Sequence, residues 1–196
     1  MAPRRASTLV LASASPRRRE LLARLGAPFT VWASHVPEIH PPGAPEAAVA
    51  AVALDKARAV ARGWTAGSAV ILGADTEVVL DGRYLGKPID SADAARMLRE
   101  LRGRTHEVVT GVALVEAPPS GREETASVTT RVTMTAASEE EIAAYVATGE
   151  PLDKAGAYAV QGEGRRLVAR VDGCLTNVIG LPLDTTRRLL ERWGVL

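Results

Sequence analysis

Two short apolar runs, each ending at polar groups, constrain this chain most. Thr8 to Ala12 leads into Ser13-Ala14-Ser15-Pro16, and Ala69 to Gly73 leads into Asp75-Thr76. Both are too short for a helix and read as strands buried on both faces, the usual state of strands in a parallel α/β sheet. Pro16 stands where a helix can open without losing a hydrogen bond, and Leu21, Leu22 and Leu25 give that helix an apolar face ending at Gly26.

The same alternation continues along the chain. Pro37, Pro41, Pro42 and Gly43 make residues 36–45 a loop, and Pro45 opens a second helix with Val49, Val52, Lys56 and Ala59 near one face. Asp81-Gly82 is a hairpin turn between Val78-Val79-Leu80 and Tyr84-Leu85. A helix from about residue 92 to 101 follows, capped by Asp90 or Ser91 and stopped at Gly103. Residues 107–115 and 126–134 alternate as paired antiparallel strands joined through Pro118-Pro119-Ser120-Gly121. Ser138 with Glu141 forms a capping box ahead of a helix that Gly149 closes, residues 167–171 read as a strand, and a last helix starts near Pro182. Interleaved strands and helices with an antiparallel pair predict an α/β fold: one mixed twisted sheet with flanking helices, in a single domain over residues 1–196.

Composition excludes some functions. Lys and Arg number 24 against 23 Asp and Glu, a formal net charge of +1. A general nucleic-acid binder needs a basic excess to neutralise phosphates, so a small anionic ligand held by a few placed cations fits better. No apolar run approaches the roughly 18 residues of a membrane span. Arg4-Arg5 before Leu9-Val10-Leu11-Ala12 faintly looks like a secretion signal, but the apolar stretch is short and Arg17-Arg18-Arg19 follows at once, which predicts a cytoplasmic protein. Cys174 is the single cysteine, so the chain has no internal disulfide, and its apolar neighbours predict an inert packed thiol.

Five segments carry candidate chemistry. Ser13 or Ser15 caps the first helix, whose free N–H groups can bind an anion beside the Arg17 fork. Asp75, leaving an apolar strand, sits where α/β proteins place functional groups; it can orient a metal or take a proton from water. Lys87 lies in the tight turn Gly86-Lys87-Pro88, and Lys154 and Gln161 lie in glycine-rich turns open to close backbone approach. Lys56 on a mostly apolar helix face suggests a buried anionic partner, unless it snorkels to solvent. His35, His40 and His106 have no metal-ligand spacing, so a metal here is a hard oxygen-liganded ion.

In this order the segments resemble the Maf family of nucleotide pyrophosphatases. The resemblance rests on residues 11–18, Lys56-Ala57, Gly73-Ala74-Asp75-Thr76, Leu85-Gly86-Lys87-Pro88, residues 103–111, Thr148-Gly149-Glu150-Pro151, residues 153–158, Gln161-Gly162 and residues 177–182. It implies hydrolysis of a nucleoside triphosphate to monophosphate and pyrophosphate, a divalent metal (Mg or Mn), and often a homodimer. It also implies two lobes around a central cleft, as in inosine triphosphatases. By resemblance Asp75 is the proton acceptor. Arg17, Thr76 and Gln161 mark the dTTP/UTP-type branch, a methylated-guanosine branch having glutamate in place of the glutamine. Ser13, Arg17, Lys56, Lys87 and Lys154 bind phosphate, and Glu38 with Asp75 takes the metal. Pro37 stands where the family carries an aspartate, and Met134 and Cys174 also depart from its pattern. The same resemblance leaves two other readings open: a nucleotide-binding regulator of septum formation and cell division without relevant turnover, and a pool-cleaning activity on modified nucleotides.

Overall fold

The computed structural model describes residues 8–118 and 121–196. The Arg4-Arg5 pair and the Pro119-Ser120 part of the expected turn lie outside them. Seven strands are hydrogen-bonded in the order β2 (Phe29–Val31), β1 (Thr8–Leu11), β3 (Ala69–Leu80), β5 (Thr105–Glu116), β6 (Glu123–Met134), β7 (Val168–Asp172), with β4 (Arg83–Tyr84) on β3. β1 is parallel to both β2 and β3, whereas β4 and β7 run antiparallel to their neighbours, so the sheet is mixed as expected. The helices are α1 (Pro16–Ala23), α2 (Pro45–Gly63), α3 (Ser91–Leu101), α4 (Glu139–Ala147), α5 (Leu175–Ile179) and α6 (Leu183–Arg192). Three short 3-10 turns, Glu150–Asp153, Ala155–Ala157 and Gly162–Leu167, occupy the segment read from sequence as glycine-rich turns. β2 and α5 are too short to show a period and were not foreseen.

The described residues divide into two compact units, the first comprising residues 8–75, 110–118, 121–128 and 180–196, the second residues 76–109 and 129–179. The core of the first is Val10, Ile71 and Val115 packed with the alanine-rich face of α2, namely Ala53, Ala57, Val60 and Ala61. Val60 rather than Ala59 completes that face. Small side chains let helix and sheet approach, and glycine takes this to its limit. A Cβ on Gly73 in β3 would lie 2.1 Å from the Ala53 carbonyl oxygen, and one on Gly111 in β5 would lie 2.4 Å from the Val49 backbone. Both glycines are thus required by the contact of α2 with the sheet, not by a turn.

The second unit is built on larger side chains: Leu85, Met97, Leu98, Leu101, Val132, Ile142, Tyr145, Tyr158 and Leu167. Asp90 is the cap of α3, accepting from the Asp93 N–H, and the capping box of Ser138 and Glu141 on α4 is complete. Asp81 and Gly82 both have positive φ, as a two-residue hairpin turn requires. His106 is buried, 2.6 Å from the Tyr158 hydroxyl.

Two outcomes are expected from this packing. Gly111→Ala should cost at least about 3 kcal/mol, because the obstructing atoms are helix backbone and cannot rotate away; an unchanged urea midpoint would refute the close approach. Burial lowers the His106 pKa from 6.5 to about 4. The folded state therefore resists protonation that the unfolded chain accepts, and stability present above pH 6.5 falls by about 3 kcal/mol as pH drops towards 4. His106→Asn should flatten that slope in urea unfolding at pH 7 and 4.5.

Candidate active site

In the first unit, the loop between β1 and α1 holds its shape through two serines. Ser15 is the cap of α1, its hydroxyl accepting from the Arg18 N–H, while the buried Ser13 hydroxyl accepts from the Ser15 N–H at 3.2 Å. Pro16 fills the first helical position as the sequence predicts. Arg17 is half-buried on the first turn. Its neighbour Arg18, given no function from sequence, ties this loop down: Nε donates to the Gly180 carbonyl at 2.9 Å and Nη1 to Ser13 Oγ at 3.4 Å.

Asp75 stands in the middle of β3, which runs five residues beyond it to Leu80, and not at the carboxyl end of a strand. The expected ending at Gly73 fails because β3 keeps pairing past the apolar run, and polar side chains there find partners rather than solvent. Asp75 is 2% exposed. Lys56, on the buried face of α2, donates to Asp75 Oδ1 at 2.7 Å and to Glu38 Oε1 at 2.6 Å. The buried anionic partner suspected from sequence is therefore real, and Lys56 does not snorkel. Asp75 Oδ2 is 2.8 Å from His40 Nε2, and an ionised carboxylate only accepts, so the ring donates.

These neighbours decide the charge of Asp75. Burial pushes its pKa up, but the Lys56 charge and hydrogen bond, the His40 hydrogen bond and the Arg18 charge together outweigh it and hold the carboxyl below its ordinary range. Asp75 is thus an anion at neutral pH with both oxygens engaged.

His40 corrects the expectation that the histidines carry no information: no spacing in the sequence links it to Asp75, 35 positions away. Glu77 was also missed, although two residues from Asp75 on one strand means the same face. His40, Asp75 and Glu77 each offer a ligand atom, all within 4.8 Å of one another, a donor set that suits a divalent cation. Glu38, the other residue expected at a metal, meets Lys56.

In the second unit, Thr76 is half-buried on β3, and Lys87 and Gln161 are exposed. The turns carrying Lys87 and Lys154 are joined, since the Gly156 N–H donates to the Gly86 carbonyl at 2.8 Å. A Cβ on Gly156 would press on Val78 at 2.9 Å, which explains the glycine there. Lys154 Nζ donates to the Glu150 carbonyl. Cys174 is half-buried rather than packed in the core, with Sγ 3.2 Å from Thr176 Oγ1.

Removing Lys56 should expose what it balances. Lys56→Met leaves a buried carboxylate without its main counter-charge, so the Asp75 pKa should rise above the ordinary carboxylate value, and stability at pH 7 should fall by about 3–5 kcal/mol. In the wild type, the Asp75 contribution is present above the unfolded carboxyl pKa and is lost only as pH falls through the depressed folded value. Carboxyl carbon NMR titration of both proteins reads this; an unmoved Asp75 resonance in Lys56→Met would refute it.

The sequence profile of the family described as Maf-like protein matches residues 8–193. A dTTP/UTP pyrophosphatase of Moorella thermoacetica is 58% identical over 192 residues, covering 96% of each chain. One of Myxococcus xanthus is 54% identical over 189 residues, covering 95% of this chain and 93% of the relative. Among solved structures, a HAM1 protein from Coxiella burnetii superposes with a TM-score of 0.54 at 19% identity, covering 95% of this chain and 99% of that one, a likeness of fold. With the motif segments in the expected order and matches along nearly the whole length, this chain belongs to the Maf-like protein family.

Proposed function

We propose that this protein is a nucleoside triphosphate pyrophosphatase acting on dTTP and UTP, releasing pyrophosphate and the nucleoside monophosphate. The observation that carries the reading is the buried Asp75 carboxylate, kept ionised by Lys56 and His40 in a chain sharing 58% and 54% identity with proteins named dTTP/UTP pyrophosphatase. The two units are taken as parts of one pyrophosphatase domain over residues 1–196, supported by the family match along residues 8–193.

The reaction is attack of water on the α-phosphorus with departure of pyrophosphate. Asp75 accepts the hydrogen bond of that water and aligns it, and takes its proton as the new P–O bond forms. Its depressed pKa makes it a modest base but an anion across the physiological range. Negative charge grows on the leaving oxygens, which calls for fixed cations. Arg17 and the Ser13 loop at the start of α1, with Lys87 and Lys154, are assigned to the phosphates. Lys56 is assigned chiefly to holding Asp75 and Glu38, a narrower task than phosphate binding alone. Thr76 and Gln161, with Arg17, are assigned to discrimination among bases: hydroxyl and amide groups that pair with one base edge are left unpaired by another.

A hard divalent cation, Mg or Mn, would be held by Asp75 and Glu77 with Glu38 beside them, and His40 would join as a ligand only by giving up the hydrogen bond its Nε2 donates to Asp75. Such an ion would supply charge neutralisation on the substrate phosphates. Among the described residues no helix is long and apolar enough to cross a membrane. A homodimer is proposed on the family resemblance, and a cytoplasmic location on the short apolar stretch at residues 9–12 that Arg17-Arg18-Arg19 follows.

The test is pyrophosphate release from dTTP and UTP with Mg²⁺ or Mn²⁺ and with chelator. Asp75→Asn should lose at least about 100-fold in kcat while still binding nucleotide. Full turnover in that variant would remove Asp75 from the chemistry. Nucleotide binding by the wild type without pyrophosphate release from any triphosphate would instead favour the regulatory reading, and faster turnover of base-modified triphosphates would favour the pool-cleaning one.

A further inference from the structure

In the second unit, a single carboxylate gathers the segment that carries Gln161. Glu150 Oε1 accepts from the Tyr145 hydroxyl at 3.0 Å and from the Gly164 N–H at 3.2 Å, and Oε2 accepts from the Glu163 N–H at 3.1 Å. The Tyr145 oxygen in turn accepts from the Ala159 N–H at 3.2 Å. The carboxylate and the phenol thus hold both ends of the stretch Ala159–Gly164, with Gln161 between them. Tyr145 is fully buried on α4 and fixes the phenol end. Glu150 is fixed at its backbone, its N–H donating to Thr148 Oγ1 and its carbonyl accepting from Lys154 Nζ.

The glycines of the stretch are fitted to this arrangement. A Cβ on Gly162 would lie 2.7 Å from Glu150 Oε2, and one on Gly164 would lie 2.5 Å from the Tyr145 hydroxyl. Side chains at either position would push the backbone off its two anchors. Burial pushes the Glu150 carboxyl up, but the Glu163 and Gly164 N–H groups, Tyr145 and Lys154 bring it below its ordinary value, so the acceptor stays charged and its hydrogen bonds are of the stronger, charge-assisted kind.

We infer that Glu150, acting with Tyr145, is a positioning residue for base selection: it fixes the backbone on either side of Gln161 and so sets the place from which the exposed amide reaches the base. The inference rests on the assignment of Gln161 to base discrimination. A mobile amide hydrogen-bonds either edge pattern by turning over, because its oxygen and nitrogen exchange places. Anchoring the backbone fixes where the Gln161 amide is delivered and narrows the rotamers that reach the base, and selectivity follows from the edge pattern that those rotamers leave unsatisfied.

The experiment compares kcat/KM for dTTP and dCTP, whose bases exchange donor and acceptor at positions 3 and 4. In Glu150→Gln, which keeps size but turns one acceptor into a donor facing an N–H, the dTTP/dCTP ratio should fall by about tenfold. Tyr145→Phe, which keeps the packing and removes only the hydroxyl, should lower the ratio in the same direction and covers the case in which Glu150→Gln fails to fold. In a Gln161→Ala background, neither change should move the ratio further. Loss of stability or of kcat in both variants with the wild-type ratio retained would overturn the inference and leave Glu150 a fold residue only. A wild-type ratio in Gln161→Ala itself would overturn the assignment of Gln161, and the inference with it; a changed ratio there with unchanged ratios in the other two would overturn the positioning inference alone.

Discussion

The buried pair of Lys56 and Asp75 is the interaction on which the first unit's architecture turns. A carboxylate 2% exposed is costly as an anion unless a cation and further donors surround it. Lys56 at 2.7 Å and His40 at 2.8 Å supply them. Lys56 reaches only because α2 lies close against β3, and α2 lies close only because residues 73 and 111 have no side chain. Helix packing, an absent pair of Cβ atoms and the charge state of one carboxylate are therefore a single chain of cause.

This arrangement also sets the tension in the site. An ion pair that keeps Asp75 charged lowers its proton affinity, so the carboxylate gains availability at neutral pH and loses strength as a base. Chemistry that needs a water aligned and its charge tolerated, rather than a proton torn away early, suits such a group. Phosphoryl transfer is of that kind, since most of its catalysis is positioning and electrostatics.

The second unit uses a different device. It has a larger-residue core and a run of 3-10 turns, and there a carboxylate organises backbone N–H groups rather than a lysine. Glu150 and Tyr145 tie the turns into a fixed frame, and the glycines at 162 and 164 admit the approach. In both units, glycine marks where a backbone must come unusually near a polar or helical neighbour.

Local chemistry was legible in the sequence because its causes are local. Pro16 and Ser15 started α1, Ser138 and Glu141 started α4, Asp81-Gly82 made the hairpin, and the apolar runs made β1 and the first half of β3. The motif segments in order were enough to place the chain with its family. The odd lysine on α2 even announced a buried anion. The sequence did not name that anion, nor bring His40 to it, because contacts across 19 and 35 positions depend on how helix, loop and strand pack. Nor did it show that β3 continues through Asp75, since a strand's end is decided by its neighbours' hydrogen bonds as much as by its own residues. The candidate residues for the chemistry were written in the chain; the partners that set the charge of Asp75 came only with the tertiary fold, which alone brings distant groups within hydrogen-bonding distance and away from water.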